Sequence, residues 1–217
     1  IVTHYHYDHH DPSEPELYEG KLVLIKNPNA KINLSQKQRA RFFLEMLGNL
    51  PEKIEYCDGR EFEFGKTLIK FSKAVPHGTS DRLGYVTQVC IKNGKTKFIH
   101  TSDVEGPSLK EQASFLLDEN PHIIFLDGPM TYMLGYRYSR ASLQASIENI
   151  LEVMKKTSVE QIIFDHHFLR DLNWREHITR VYEAAEVKGI KILTAAEFAG
   201  RENDLLEARR RELYAGE

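Results

Sequence analysis

His4, His6, Asp8 and His9 fall within six residues of one another near the start of the chain, in the run Thr3-His4-Tyr5-His6-Tyr7-Asp8-His9. All four side chains are metal-ligand types, and their spacing restricts the local backbone. In an extended segment side chains alternate faces, so His4, His6 and Asp8 are expected on one side, with a turn bringing His9 round to the same centre. On a helix the same residues would fan around the cylinder and could not converge. Imidazoles combined with a carboxylate suit zinc, iron or manganese better than calcium or magnesium. A homopolymeric tag would lack this spacing, and the preceding Ile1-Val2-Thr3 reads as the end of a strand.

With 217 residues the chain is expected to form one domain, residues 1–217, with a full hydrophobic core. A net charge of -3 does not demand a nucleic-acid partner, since a dedicated binder is usually strongly basic. No apolar run approaches the length that crosses a bilayer, and no secretory signal is recognisable. Cys57 and Cys90 imply no disulfide framework, so a soluble cytoplasmic protein is the expectation. The chain begins with Ile1, and ligands are seldom placed on a fraying end. It therefore reads as a piece whose preceding strands are missing.

Lys21–Ile25 predicts a short strand ended by the Asn27-Pro28-Asn29 turn. A helix is predicted over Gln36–Leu47, with Ser35 as N-cap and Gln38 closing a capping box. Glu61–Ser72 alternates around Gly65 as a hairpin or bulged strands. Tyr85–Ile91 and Lys97–Thr101 flank Asn93-Gly94, a hairpin signal. Beyond these the pattern alternates: strand Ile123–Leu126, helix Ser139–Lys156, strand Gln161–Phe164, helix Trp174–Lys188, strand Ile190–Leu193. A charged helix is expected near Arg201–Tyr214. Strands followed by strand–helix alternation predict a layered α/β (α+β) fold, sheet inside and helices outside.

Several later ligand candidates sit just past predicted strands, where scaffolds commonly carry chemistry: His77 in Val75-Pro76-His77-Gly78, Asp103 in Thr101-Ser102-Asp103, and the pair His166-His167 after Asp165. Taken in order with the first run, these residues resemble the signature of the metallo-β-lactamase fold hydrolases: HxHxDH, a distant histidine, an aspartate at a strand end, and a final histidine. The resemblance extends from Thr3 to His167 and points to an archaeal branch of that superfamily. It implies a four-layer αββα sandwich, here lacking its N-terminal strands, with metals at one edge between the sheets. It further implies two divalent metal ions, zinc first and iron or manganese as alternatives. His4, His6 and His77 would hold one, Asp8, His9 and His166 the other, and Asp103 would bridge them. Adjacent His166 and His167 compete for the last position; His166 follows its strand at the more usual distance.

The activity so implied is metal-assisted hydrolysis of an ester, phosphodiester, amide or thioester, with Asp8 orienting the attacking water and accepting its proton. Asp11, Asp127, Asp165 and His10 are candidates to hydrogen-bond the ligand imidazoles. An iron-containing oxidoreductase on the same fold, or a non-catalytic metal-binding scaffold, are the alternatives. The substrate is expected to be a small or phosphorylated molecule. Lys21, Lys26, Lys31, Lys37, Arg39 and Arg41, and separately Arg137 and Arg140, are basic groups that could hold phosphates or an RNA strand. Tyr5, Tyr7, Tyr132, Tyr136 and Tyr138 could wall the site or pack the core.

Overall fold

One four-residue strand shows how the layers assemble. In the computed structural model, which describes residues 1–215, β1 (Leu22–Ile25) is buried on both faces. Val23 and Ile25 turn toward Ala40, Phe43 and Leu47 of α1 (Leu34–Leu47). Leu24 turns the other way, onto Cys57, Phe71 and Val89. The two-residue alternation of a strand thus splits one apolar run between two cores. β2 (Lys53–Tyr56) pairs with β1 in parallel. Val2 bridges to Ile25 from the opposite edge, so the His4–His9 run leaves from the side of this small sheet.

The large sheet begins with β3 (Glu61–Phe64) and β4 (Thr67–Phe71), after which β5 (Val75–Pro76) and β6 (Tyr85–Val86) form a separate short pair. The chain continues through β7 (Val89–Asn93), β8 (Thr96–His100), α2 (Lys110–Glu119), β9 (Ile123–Asp127), α3 (Arg140–Lys156) and β10 (Gln161–Asp165). It ends with α4 (Trp174–His177), α5 (Thr179–Lys188), β11 (Lys191–Thr194), α6 (Ala195–Phe198) and α7 (Arg210–Tyr214). Seven strands pair in the order β11-β10-β9-β8-β7-β4-β3. β8 to β11 are parallel, while β3, β4, β7 and β8 form an antiparallel meander.

Parallel neighbours need crossover connections, and α2, α3 and α5 supply them. Their apolar faces meet Ile99, Ile124, Leu126, Ile162 and Phe164 in the main core. Each such side chain contributes roughly 1.5–3 kcal/mol when fully buried. The layers are therefore α1, the small sheet, the large sheet, and α2 with α3 and α5, which is the expected αββα order. Among the described residues no helix is long and apolar enough to cross a membrane.

Several local expectations are corrected. α1 starts at Leu34 and is capped by Asn33, whose side chain accepts from Gln36 N at 2.8 Å, rather than by Ser35. Strand Tyr85–Ile91 divides into β6 and β7 because Gln88 N donates to the Ser72 hydroxyl, moving the chain from one partner strand to another. The helix over Trp174–Lys188 breaks at Ile178, a fully buried residue with φ -122° and ψ 28°. Of the expected Arg201–Tyr214 helix, only Arg210–Tyr214 is helical. α2 escapes sequence reading because Leu109 stands at its N-cap. There Gln112 Oε1 accepts from the Leu109 backbone N–H at 2.9 Å.

Candidate metal centre

β8, β9 and β10 run side by side in parallel, so their carboxyl ends open at one edge of the sheet, where α/β sheets place their ligands. The loop after β8 carries Asp103 and Glu105, β9 ends on Asp127, and β10 ends on Asp165 followed by His166 and His167. The His4–His9 run comes over this edge from the small sheet, and His77 follows β5.

Asp103 Oδ2 is the focus. It lies 3.0 Å from His9 Nε2, 3.4 Å from His166 Nε2, 3.5 Å from His77 Nε2 and 3.6 Å from His4 Nε2. Three groups of ligand-type residues share Asp103, each with one ligand atom per residue within 4.8 Å of the others: His4, His6, His77 and Asp103; Asp8, His9, Asp103 and His166; and the smaller set Asp103, Asp127 and His167, in which Asp127 also takes the His167 ring as a hydrogen-bond partner. Simple alternation would place Asp8 beside His4 and His6. Instead a turn, in which His9 N donates to His6 O at 3.0 Å, swings Asp8 into the second group. Its Oδ2 lies 3.5 Å from His166 Nε2, and its side chain is 51% exposed.

Neighbours hold the imidazoles in place. His4 Nδ1 lies 3.3 Å from the hydroxyls of both Thr3 and Ser102. His77 Nδ1 faces Glu105 Oε1 at 3.5 Å. Asp127 accepts from the backbone N–H groups of Glu105 at 2.8 Å and His167 at 3.1 Å. It also accepts from His167 Nδ1 at 3.1 Å. His167 is thereby turned to Asp127, while His166 reaches Asp103. Ser102, Glu105 and His166 hold positive φ of 56°, 50° and 56°, strained backbone of the kind that gathers at functional sites.

Of the four expected hydrogen-bonding neighbours, Asp127 alone is turned onto another site side chain. Asp11 accepts from Ser13 at the surface, and Asp165 caps the His166 N–H of its own turn. His10 Nδ1 lies 3.0 Å from the His6 carbonyl. Sequence reading missed Thr3, Ser102 and Glu105; only their closeness in sequence to His4 and Asp103 could have pointed to them. Among the basic candidates, Lys26 is buried against Asp58 and Arg41 pairs with Glu45. Tyr5 and Tyr138 are core residues.

The donor set fits metal ions. His4 Nε2, both His77 nitrogens and His166 Nε2 are buried without a hydrogen-bond partner among the described residues, an arrangement that needs an explanation such as an ion. Metal ligation requires neutral imidazole and ionised carboxylate. Burial, joined by the neighbouring imidazoles, holds His4 well below the usual histidine range. Burial and nearby His77 lower His6 to about 4. Burial works against the Asp103 charge, but close contacts with His166, His77 and His9 outweigh it and hold the carboxyl well below its usual range. For His167, burial is outweighed by Asp127, which pushes the imidazole up to about 9.

Two packed sheets flanked by helices, with this histidine–aspartate cluster at their edge, define a metallo-β-lactamase fold protein. A variant of the CmlA beta-hydroxylase shares the fold at a TM-score of 0.56 and 15% identity, over 89% of this chain and 42% of that one. Igni18, a metallo hydrolase of the archaeon Ignicoccus hospitalis, shares it at a TM-score of 0.52 and 16% identity, over 89% of this chain and 73% of that one. The chain belongs to the UPF0282 family of archaeal proteins. It is 51% identical over 215 residues to the UPF0282 protein of Korarchaeum cryptofilum, spanning 99% of this chain and 71% of that protein. With the UPF0282 protein of Metallosphaera sedula it shares 48% over 219 residues, again 99% and 71%. No family model matches the chain.

Proposed function

We propose that this chain is a metal-dependent hydrolase whose centre holds two divalent ions, zinc in the first instance. The observation that supports this reading is the sharing of Asp103 Oδ2 between two ligand groups in which the Nε2 atoms of His4, His77 and His166 are buried and unpartnered among the described residues. His4, His6 and His77 would hold one ion, Asp8, His9 and His166 the other, with Asp103 between them. Bound there, two ions would supply an activated water and stabilise a developing oxyanion.

The protein's own residues supply the rest. Asp8 is the ligand-group carboxylate open to solvent, placed to orient the incoming water and accept its proton. The Glu105 carboxylate faces His77 Nδ1 from 3.5 Å without a hydrogen bond, whereas Thr3 and Ser102 fix the ring of His4. Such partners set which nitrogen faces the centre. Asp127 takes the Nδ1–H of His167, leaving that ring to face the pocket it lines with His6, Asp8 and Asp103.

The bond cleaved is an ester, phosphodiester, amide or thioester. Zinc-loaded protein assayed on bis(p-nitrophenyl) phosphate, p-nitrophenyl phosphate, p-nitrophenyl acetate and an acyl thioester is expected to turn over at least one. That activity should disappear with a chelator and return with added zinc. Metal-replete protein inert toward all four would contradict the hydrolase reading.

A further inference from the structure

Three arginines from three separate loops converge on the space in front of the histidine cluster. Arg82 lies between β5 and β6, Arg137 precedes α3, and Arg170 closes the turn after β10. Arg82 and Arg137 line a cavity of about 450 Å³. Arg137 and Arg170 line a second of about 170 Å³, which includes His6, Asp8 and Asp103. His77, Leu83, Glu105, Met130 and Arg137 border both, so the two adjoin, the smaller one against the candidate centre.

What sets these guanidiniums apart is their place on the cavity wall combined with the lack of an ion pair among the described residues, a lack they share with Arg39, Arg140, Arg201 and Arg211 outside these two cavities. Arg41, Arg60, Arg175 and Arg180 each sit within 4.0 Å of a glutamate. Arg82, Arg137 and Arg170 form no such pair among the described residues. Arg137 and Arg170 instead lie over the rings of Tyr136 and Tyr132, at 5.5 Å and 5.9 Å from the centroids. Glu105, a carboxylate that borders both cavities, is turned to His77. Unpaired guanidiniums on a concave wall are preorganised for an oxyanion, which they bind through paired N–H donors.

We propose that this space is the phosphate subsite for a small organophosphate, with Arg137 and Arg170 gripping the phosphoryl oxygens and Arg82 at the outer wall. The proposal rests on the hydrolase reading above for its reaction but not for its binding. The larger cavity falls within the size range of small-molecule sites, and Leu83, Met130 and Tyr136 offer apolar surface to the organic portion. A net charge of -3 disfavours an extended nucleic-acid strand, whose binders are basic overall.

The test is calorimetric titration of zinc-loaded protein with phenyl phosphate, phenylacetate and a ten-nucleotide RNA. Wild type is compared with Arg137→Gln, Arg170→Gln and the double variant, with metal content measured on every sample. Each single change is expected to weaken phenyl phosphate binding about tenfold and the double change about a hundredfold, the scale of one and two charge-assisted hydrogen bonds. Metal content and circular dichroism should stay at wild-type values. Unchanged affinity in a folded, metal-replete double variant would overturn the proposal while leaving the hydrolase reading standing. Arginine-dependent phenyl phosphate binding by wild-type protein that takes up no metal would support the subsite and sink the hydrolase reading. Phenylacetate binding as tightly as phenyl phosphate, or RNA binding where phenyl phosphate does not, would overturn the assignment of a small phosphate ester.

Discussion

Asp103 Oδ2 lies 3.4 Å from His166 Nε2, although one residue follows β8 and the other follows β10. β9 separates those strands in the sheet, so the contact is made above the sheet edge by loops. His166 reaches inward because its backbone takes φ 56°, an αL conformation that a non-glycine residue adopts only under local constraint. The N–H bond from His166 to Asp165 and the anchoring of His167 on Asp127 impose it.

Asp103→Asn is expected to lose both ions together, because both ligand groups contain this carboxylate. Affinity for each should fall by more than the 10–100-fold typical of losing a mere ligand-supporting hydrogen bond. Metal titration by competition with a chromophoric chelator measures it; unchanged affinity would remove Asp103 from the centre.

His166→Ala and His167→Ala should part company. The first is expected to lower metal stoichiometry. The second should keep both ions and reduce activity by 10–100-fold, as for a side chain that supports the site from outside the ligand set. Equal metal content in the two variants would contradict the choice of His166.

Asp127→Ala removes the acceptor for two backbone N–H groups and for the His167 ring. Stranding these buried donors is expected to cost about 3–5 kcal/mol, read as a lowered denaturant midpoint with unchanged slope.

Lys26 carries a pH signature. Its Nζ is buried beside Asp58 Oδ1 at 3.2 Å and the Ala30 carbonyl at 2.8 Å. Burial lowers its pKa, and Asp58 offsets this only in part. Between the lowered folded value and the unfolded value of about 10.4, the unfolded chain binds more protons at this site. The Lys26 contribution to stability therefore rises with pH across that window and is at its least below it. Lys26→Met should abolish that rise in a comparison of unfolding curves on the alkaline side; an identical rise in the variant would assign it elsewhere.

How much of this was legible in the sequence depended on whether the signal was local. The His4–His9 run announced its chemistry because its ligands are close in the chain, and β7 and β8 were legible through Asn93-Gly94. His77, Asp103 and His166 needed the order of motifs as well, since each alone is an unremarkable loop residue. Glu105 and Ser102 could not be read, because Glu105 meets His77 only where the β5 and β8 loops converge, and Ser102 meets His4 only where the N-terminal run crosses the β8 loop. α2 was hidden for want of a polar cap at Leu109, and the break at Ile178 because its cause is burial in the core. The arginine wall was half visible: Arg137 stood out near Tyr132, whereas Arg82 and Arg170 gained meaning only through the cavity they share.

The central claim is that the Asp103-centred cluster is a two-metal site, and elemental analysis of purified, folded protein after metal reconstitution tests it most directly. About two zinc, iron or manganese ions per chain, as a binuclear centre requires, is the expected result. Folded protein that retains no stoichiometric metal would contradict the claim.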